Sequence, residues 1–391
     1  MREVYVVGIG ITSFTRLEYP LSEIAAFPAM AAMKDAGISK VDHVYVANMG
    51  GARANHQTGL ASAVVDSLSL TPAGAEVIEN GPASGASAIK QGFIAVASGL
   101  HDTVLVTSAE RLREVNNLEA TDIVASLSHP LAEYIYGVTL PSLAAMFTRL
   151  YMQKYGVTER HLAMVAVKNH DNALLNFYAH LHEKITLEGI LDSPEAMTNN
   201  PYVAEPLRFF DCCPVSDGGA AVILASAEVA KQMNKPLIRL AGVGQATDTH
   251  CVHERAEPTD LLAVRGAAAK AFQMAGVGPS DVNVAELHDA FTILEIVESE
   301  EVGFFKKGEG HLALERGETR LGGRLPINTS GGLKAKGHPV GATGVGQAHE
   351  IVLQLRGAAD KRQVKDARIG FTCNFGGFGN NVVCLVFKRE N

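Results

Sequence analysis

Paired cysteines, basic runs and long apolar stretches are all missing from this chain, and each absence removes a class of function. The five cysteines (Cys212, Cys213, Cys251, Cys373 and Cys384) are sparse and odd in number. They lack the paired spacing of a zinc site, so neither a disulfide framework nor a metal centre is expected. The expectation is reduced thiols in a cytoplasmic protein, with Cys212, Cys213 and Cys384 as inert packing residues. No basic run interleaved with aromatics occurs, and the net charge is −8; both argue against nucleic acid as the main partner. No apolar run reaches membrane-spanning length, so no membrane partner is expected. The opening M-R-E-V-Y-V-V-G-I-G reads as an immediate strand, not as a signal peptide.

What is present is a globular composition, with 47% hydrophobic and 19% charged residues. A length of 391 residues suggests two or more domains. Val4 to Ile9 is β-branched and apolar, as a buried strand requires. Leu21 to Gly37 reads as a helix stopped by Gly37, with Pro28 as a kink or a first turn. Strands at Val41 to Asn48 and Thr103 to Thr107 flank a small-residue helix at Gly85 to Gly99. This alternation predicts a layered α/β fold.

From about Glu110 to Arg208 the chain is mostly helical and polar, and reads as a lid inserted into that core. The strand pattern returns at Ala220 to Ala225. After Asn234 a second α/β pattern starts. Leu237 to Gly244 (L-I-R-L-A-G-V-G) parallels V-Y-V-V-G-I-G, and Ala267 to Glu286 parallels Ala31 to Val46. The predicted domains are 1–109 plus 209–235, a lid at 110–208, and a second half at 236–391. A duplicated fold places its sites at the seam between the halves.

Three groups carry chemistry. His338 sits between Gly337 and Pro339 in N-T-S-G-G-L-K-A-K-G-H-P-V-G-A-T-G, Asn328 to Gly344. A stiff glycine loop there feeds a helix N-terminus, a common place for a catalytic group. His288, in E-L-H-D-A-F, sits where a strand ends and a helix begins, and such ends face ligand clefts in α/β sheets. Cys373, in F-T-C-N-F-G-G-F-G-N-N, precedes a glycine loop whose Gly376 and Gly377 N–H groups can face an oxyanion. Each also has a plain reading: a bystander or capping His, a buried Cys, a turn.

H-D-A-F, then G-G-L-K-A-K-G-H-P-V-G-A-T-G, then C-N-F-G-G-F-G, in that order, resembles the thiolase superfamily. V-S-D-G-G-A-A-V (Val215 to Val222) and G-V-T-L-P-S (Gly137 to Ser142) resemble its sterol-carrier-protein-type and archaeal-bacterial branch. The resemblance covers nearly the whole chain. It implies a five-layered α-β-α-β-α fold, a tight homodimer and a coenzyme A thioester as substrate, with no other cofactor. It assigns His338 to the thioester oxygen and the nucleophile, and His288 to completing an oxyanion hole. Cys373 would move a proton to and from the substrate α-carbon. Several relatives of this branch work with a small zinc-binding, OB-fold subunit, and the resemblance implies such a partner here.

One departure matters most. Where thiolases carry a nucleophilic cysteine in E-N-x-C-A-S-G, this chain reads E-N-G-P-A-S-G, with Pro82 at the cysteine position. Pro82 has no atom that can form an acyl-enzyme. Three readings follow. The first is carbon–carbon bond making or breaking α to a CoA thioester without an acyl-cysteine, as in the thiolase-like steroid side-chain aldolases. The second is an ordinary acyltransferase with an unusual nucleophile, Ser84 included, or with a partner subunit. The third is a non-catalytic acyl-CoA-binding subunit, against which the retention of His288, His338 and Cys373 weighs.

Overall fold

The computed structural model describes residues 1–390. Its main sheet is built, in chain order, from β1 (Val4–Ile11), β2 (His43–Ala47), β3 (Gly74–Ile78), β4 (Thr103–Ser108), β5 (Ala220–Ser226), β6 (Ile238–Thr247), β7 (Val284–Glu286), β8 (Ile369–Gly376) and β9 (Asn381–Arg389). These strands hydrogen-bond in the order β7-β8-β9-β6-β1-β5-β4-β2-β3. Counted outward from the β1–β6 seam, one half runs β1, β5, β4, β2 and the other β6, β9, β8, β7. The sense of pairing repeats as well. The first two junctions in each half are antiparallel and the third is parallel.

The seven long helices are α1 (Leu21–Ala36), α2 (Ser84–Ser98), α3 (Leu140–Tyr155), α4 (Glu159–Ala173), α5 (Leu262–Ala275), α6 (Thr292–Glu301) and α7 (Thr343–Arg356). Helix α1 covers the outer face of the first half-sheet, and α5 and α6 that of the second. Helices α2 and α7 lie between the two half-sheets, with Ile89 and Ile351 in one apolar cluster beside Val104 and Leu385. The layers are therefore α-β-α-β-α, as expected.

The duplication reaches single residues. A Cβ on Gly8 or Gly10 would collide with the carbonyl oxygens of Ala32 and Pro28 in α1; on Gly242 or Gly244 it would collide with those of Ala271 and Ala267 in α5. In both halves the G-x-G of the first strand thus lets its helix lie on the backbone. A register shift precedes each pair, at Val6/Gly8 and Leu240/Gly242. Pro28 stands inside α1, where it removes one helical hydrogen bond, rather than in its first turn.

The expected lid divides in its packing. Leu143, Phe147 and Tyr151 of α3 and Leu162 of α4 are buried in the same cluster as Val264, Phe272 and Phe371 of the second half. The stretch before α3 supplies Leu112 and Val124, and the first turn of α3 supplies Leu140 and Pro141, to the cleft described next. Among the described residues, no helix is long and apolar enough to cross a membrane.

Candidate active site

The cleft at the seam encloses about 910 Å³ including its open mouth, and its wall is mostly apolar. Pro82, His288, His338, Cys213, Phe375 and Gly377 all contribute to it. The chain brings the two histidines together from 50 residues apart. Their rings meet edge to face, with centroids 5.1 Å apart and planes at 86°.

His288 follows β7 and precedes α6. Its backbone N–H donates to Glu298 Oε2 at 2.9 Å. Asn374 Nδ2 lies 3.2 Å from His288 Nδ1. An amide NH₂ can only donate to that nitrogen, which assigns the ring proton to Nε2 and leaves an N–H free. Phe375 stacks on the ring, with centroids 5.2 Å apart and planes at 8°. Burial, reinforced by His338, holds the His288 imidazole far below the ordinary histidine range, so it is neutral near pH 7.

His338 is fixed by its loop. Its backbone N–H donates to Ser216 Oγ at 3.2 Å, and its Nδ1 lies 2.6 Å from Thr343 Oγ1. Gly337 carries φ +111° there, and a Cβ on it would crowd Ser216 Oγ. The Thr343 hydroxyl also reaches the Pro339 carbonyl at 3.3 Å. When it donates to that carbonyl it accepts the Nδ1 proton, and His338 Nε2 becomes a base. Burial, with the Lys336 ammonium adding to it, pushes the His338 pKa down to about 3.

Two buried carboxyls that the sequence reading missed clamp these loops. Asp289 accepts from Leu333 N at 2.7 Å, Lys334 N at 3.3 Å and Asn169 Nδ2 at 2.6 Å. The residue next to His288 thus holds the loop that delivers His338. Glu110 accepts from Gly341 N at 2.9 Å, Gly50 N at 2.9 Å and Met49 N at 3.0 Å. It holds the other side of that loop against the first half. Burial raises both carboxyls to about 7, with Glu295 contributing for Asp289. Only fold-distant contacts reveal these roles; E-R and H-D in the sequence carry no such signal.

Not every expected residue reaches the cleft. Pro82 does, in the tight turn before α2 rather than in its first helical turn. Gly377 lines the wall, whereas Gly376 pairs with Asn381 in the β8–β9 ladder and abuts the Asn80 carbonyl. Cys373 is fully buried, and the wall at that place is Phe375, two residues on. Phe375 stands two residues further along β8, on the same side of the strand as Cys373. Burial and the adjacent Cys384 push the Cys373 thiol far above the usual range. By contrast Cys212 and Cys213, expected to be packing residues, open onto the cleft. The described donors able to meet at one metal ion are Cys251, His253 and Glu254, and none of them lines it.

Known proteins agree with this architecture. Residues 4–228 match the family model described as thiolase, N-terminal domain, and residues 244–389 the one described as thiolase C-terminal domain-like. An acetyl-CoA acetyltransferase of Methanothermobacter thermautotrophicus is 41% identical over 392 residues, covering all of both chains. Sterol carrier protein 2 of Gallus gallus is 32% identical over 98% of this chain and 71% of its own. The solved structure titled Ltp2-ChsH2(DUF35) aldolase superposes with a TM-score of 0.83 at 26% identity, over 100% of this chain and 98% of that one. With both family models matched in order and the two histidine loops meeting at the seam they share, this chain belongs to the thiolase family and is a thiolase-like enzyme.

Proposed function

We propose that the protein makes or breaks a carbon–carbon bond at the α-carbon of a coenzyme A thioester, as an aldolase does, with no acyl-enzyme at the usual position. The observation that carries this reading is Pro82 in the cleft wall with two neutral imidazoles. A ring of carbon and amide nitrogen offers no nucleophile. Two imidazoles at one point do suffice for an enolate. His288 Nε2–H donates to the thioester oxygen, where negative charge develops in the transition state. His338 Nε2 takes the proton of a β-hydroxyl. As an imidazolium it then joins His288 at the oxygen, the shared hole expected from the sequence. The aldolase title of one structural relative supports this reading.

The substrate α-carbon also needs a proton. Cys373, assigned that task by resemblance, is fully buried and does not line the cleft. We further propose a homodimer and, from the DUF35 named in that same title, a small second subunit. A second reading, an ordinary acyltransferase with another nucleophile, is favoured by the acetyltransferase that is 41% identical.

Mass spectrometry after incubation with acyl-CoA separates the two. The proposal expects no adduct on the peptide holding Pro82 and release of a carbonyl product from a β-hydroxyacyl-CoA. A stable acyl adduct on any residue moves the acyltransferase to first place.

A further inference from the structure

A four-residue strap, Cys212–Val215, crosses the cleft wall and touches both histidine loops. At one end Cys212 pairs with Phe291, and the Cys213 N–H donates to the Ala290 carbonyl at 2.9 Å, which fixes the strap to the loop that begins at His288. At the other end Val215 pairs with His338 itself. All four residues line the cleft with Pro82. The strap carries two thiols, both half-buried, whereas Cys373 is sealed. Cys212 packs against the apolar cluster of the second half; Cys213 does not.

We propose that Cys213, and not Cys373, is the thiol that exchanges a proton with the substrate α-carbon. This rests on the carbon-acid chemistry proposed above. Burial pushes the Cys213 thiol up to about 12, with Lys334 pulling it down and Asp289 pushing it up. A thiol that keeps its proton near neutrality is a proton donor rather than a nucleophile. Lys334, itself fully buried, is the cation beside the thiolate that donation leaves.

In the cleavage direction the step balances without a co-reactant. His338 Nε2 takes the β-hydroxyl proton. The Cα–Cβ bond breaks, its electron pair passes into the enolate, and the β-carbon leaves as a carbonyl. The Cys213 S–H then protonates Cα. The thiolate and the His338 imidazolium finally exchange one proton, and both groups return to their starting states.

Two measurements test this on the intact protein. The first is iodoacetamide alkylation of the folded chain, read by peptide mass spectrometry with and without butyryl-CoA. At alkaline pH, where a fraction of the thiolate forms, Cys213 should be modified slowly and be protected by butyryl-CoA, while Cys373 reacts only after unfolding. The second is deuterium uptake at the α-carbon of butyryl-CoA in D₂O. Cys213→Ala and the near-isosteric Cys213→Ser should each lower the exchange rate, on the order of 10²-fold as for loss of a general acid–base group, with butyryl-CoA binding retained. Cys373→Ala should lower the rate far less than either Cys213 variant, any loss coming through Glu298, which the Cys373 thiol meets and which also holds the His288 N–H. Loss of exchange in Cys373→Ala with retention in Cys213→Ser overturns the proposal, as does a Cys213 that butyryl-CoA fails to protect. No exchange by the parent protein would sink the carbon-acid reading itself; protection of Cys213 would then still place its thiol at the acyl chain.

Discussion

The two halves of the sheet are built alike and equipped differently. In each, a G-x-G strand lies on a helix backbone and a parallel strand closes the third junction outward from the seam. The second half delivers His288 from the end of that strand and His338 from the loop before α7. The first half delivers Pro82 from the turn before α2. Duplication therefore repeated the frame, in which backbone contacts set the tolerances, and left the chemistry to single side chains at loop tips. A position at a loop tip can lose its reactive atom while the frame persists, because nothing in the packing depends on that atom.

The largest effect should come from removing the chemistry of the second half. His338→Ala is expected to lower kcat on a β-hydroxyacyl-CoA by 10²–10⁴-fold, the range typical of a general base, with the circular dichroism spectrum unchanged. Re-equipping the first half is the converse. Pro82→Cys should yield an acyl adduct on that peptide after incubation with acyl-CoA, which the parent lacks; intact-mass spectrometry reads it directly.

The frame is probed by Gly244→Ala and Gly8→Ala. Each drives a methyl into a helix carbonyl, and overpacking of this kind costs typically 1–3 kcal/mol. Urea unfolding should show comparable losses in the two halves. A loss confined to one would show that the halves are not mechanically equivalent. Asp289→Asn keeps one acceptor but cannot take all three N–H bonds. A loss of about 1–3 kcal/mol is expected for the donor left unpaired, together with a raised KM as the His338 loop relaxes.

The smallest effect concerns pH. Because the His338 pKa is depressed to about 3, its neutral form persists well below the ordinary histidine midpoint. The kcat/KM profile should therefore lack an acidic limb near pH 6.5. A limb there that persists in Asp289→Asn and Glu110→Gln, which remove the two clamping carboxyls held near 7, would mean that a histidine titrates normally and that burial does not control the site. Stability follows the same sign for this group. Its contribution is fully present above the unfolded histidine value and is lost as pH falls toward 3.

Local pattern made the frame readable. Strand ends, the Gly37 stop, the paired A-G-[IV] units and both histidine loops all stand in short stretches of sequence, and the helix at α2 was missed by only one residue at each end. The clamps were not readable. Glu110 reaches Gly341 and Asp289 reaches Leu333 across separations of 231 and 44 residues. No periodicity encodes which buried carboxyl meets which loop. The same limit misplaced the thiols. Cys373 stood in a recognisable motif, but its burial away from the cleft wall depends on packing that the motif does not encode. Cys213 looked like packing until the strap laid it across both histidine loops.

Phe375 also makes the site observable. An aromatic ring held nearly parallel over an imidazole shifts the resonances of that imidazole through its circulating electrons, and the shift falls steeply with separation and tilt. The ring protons of His288 therefore carry a built-in displacement sensor. A thioester that pushes Phe375 aside should move those signals toward the ordinary histidine position, while one that leaves the stack intact should not. Whether the Phe375 ring leaves its place on His288 can thus be followed in solution without altering a single residue.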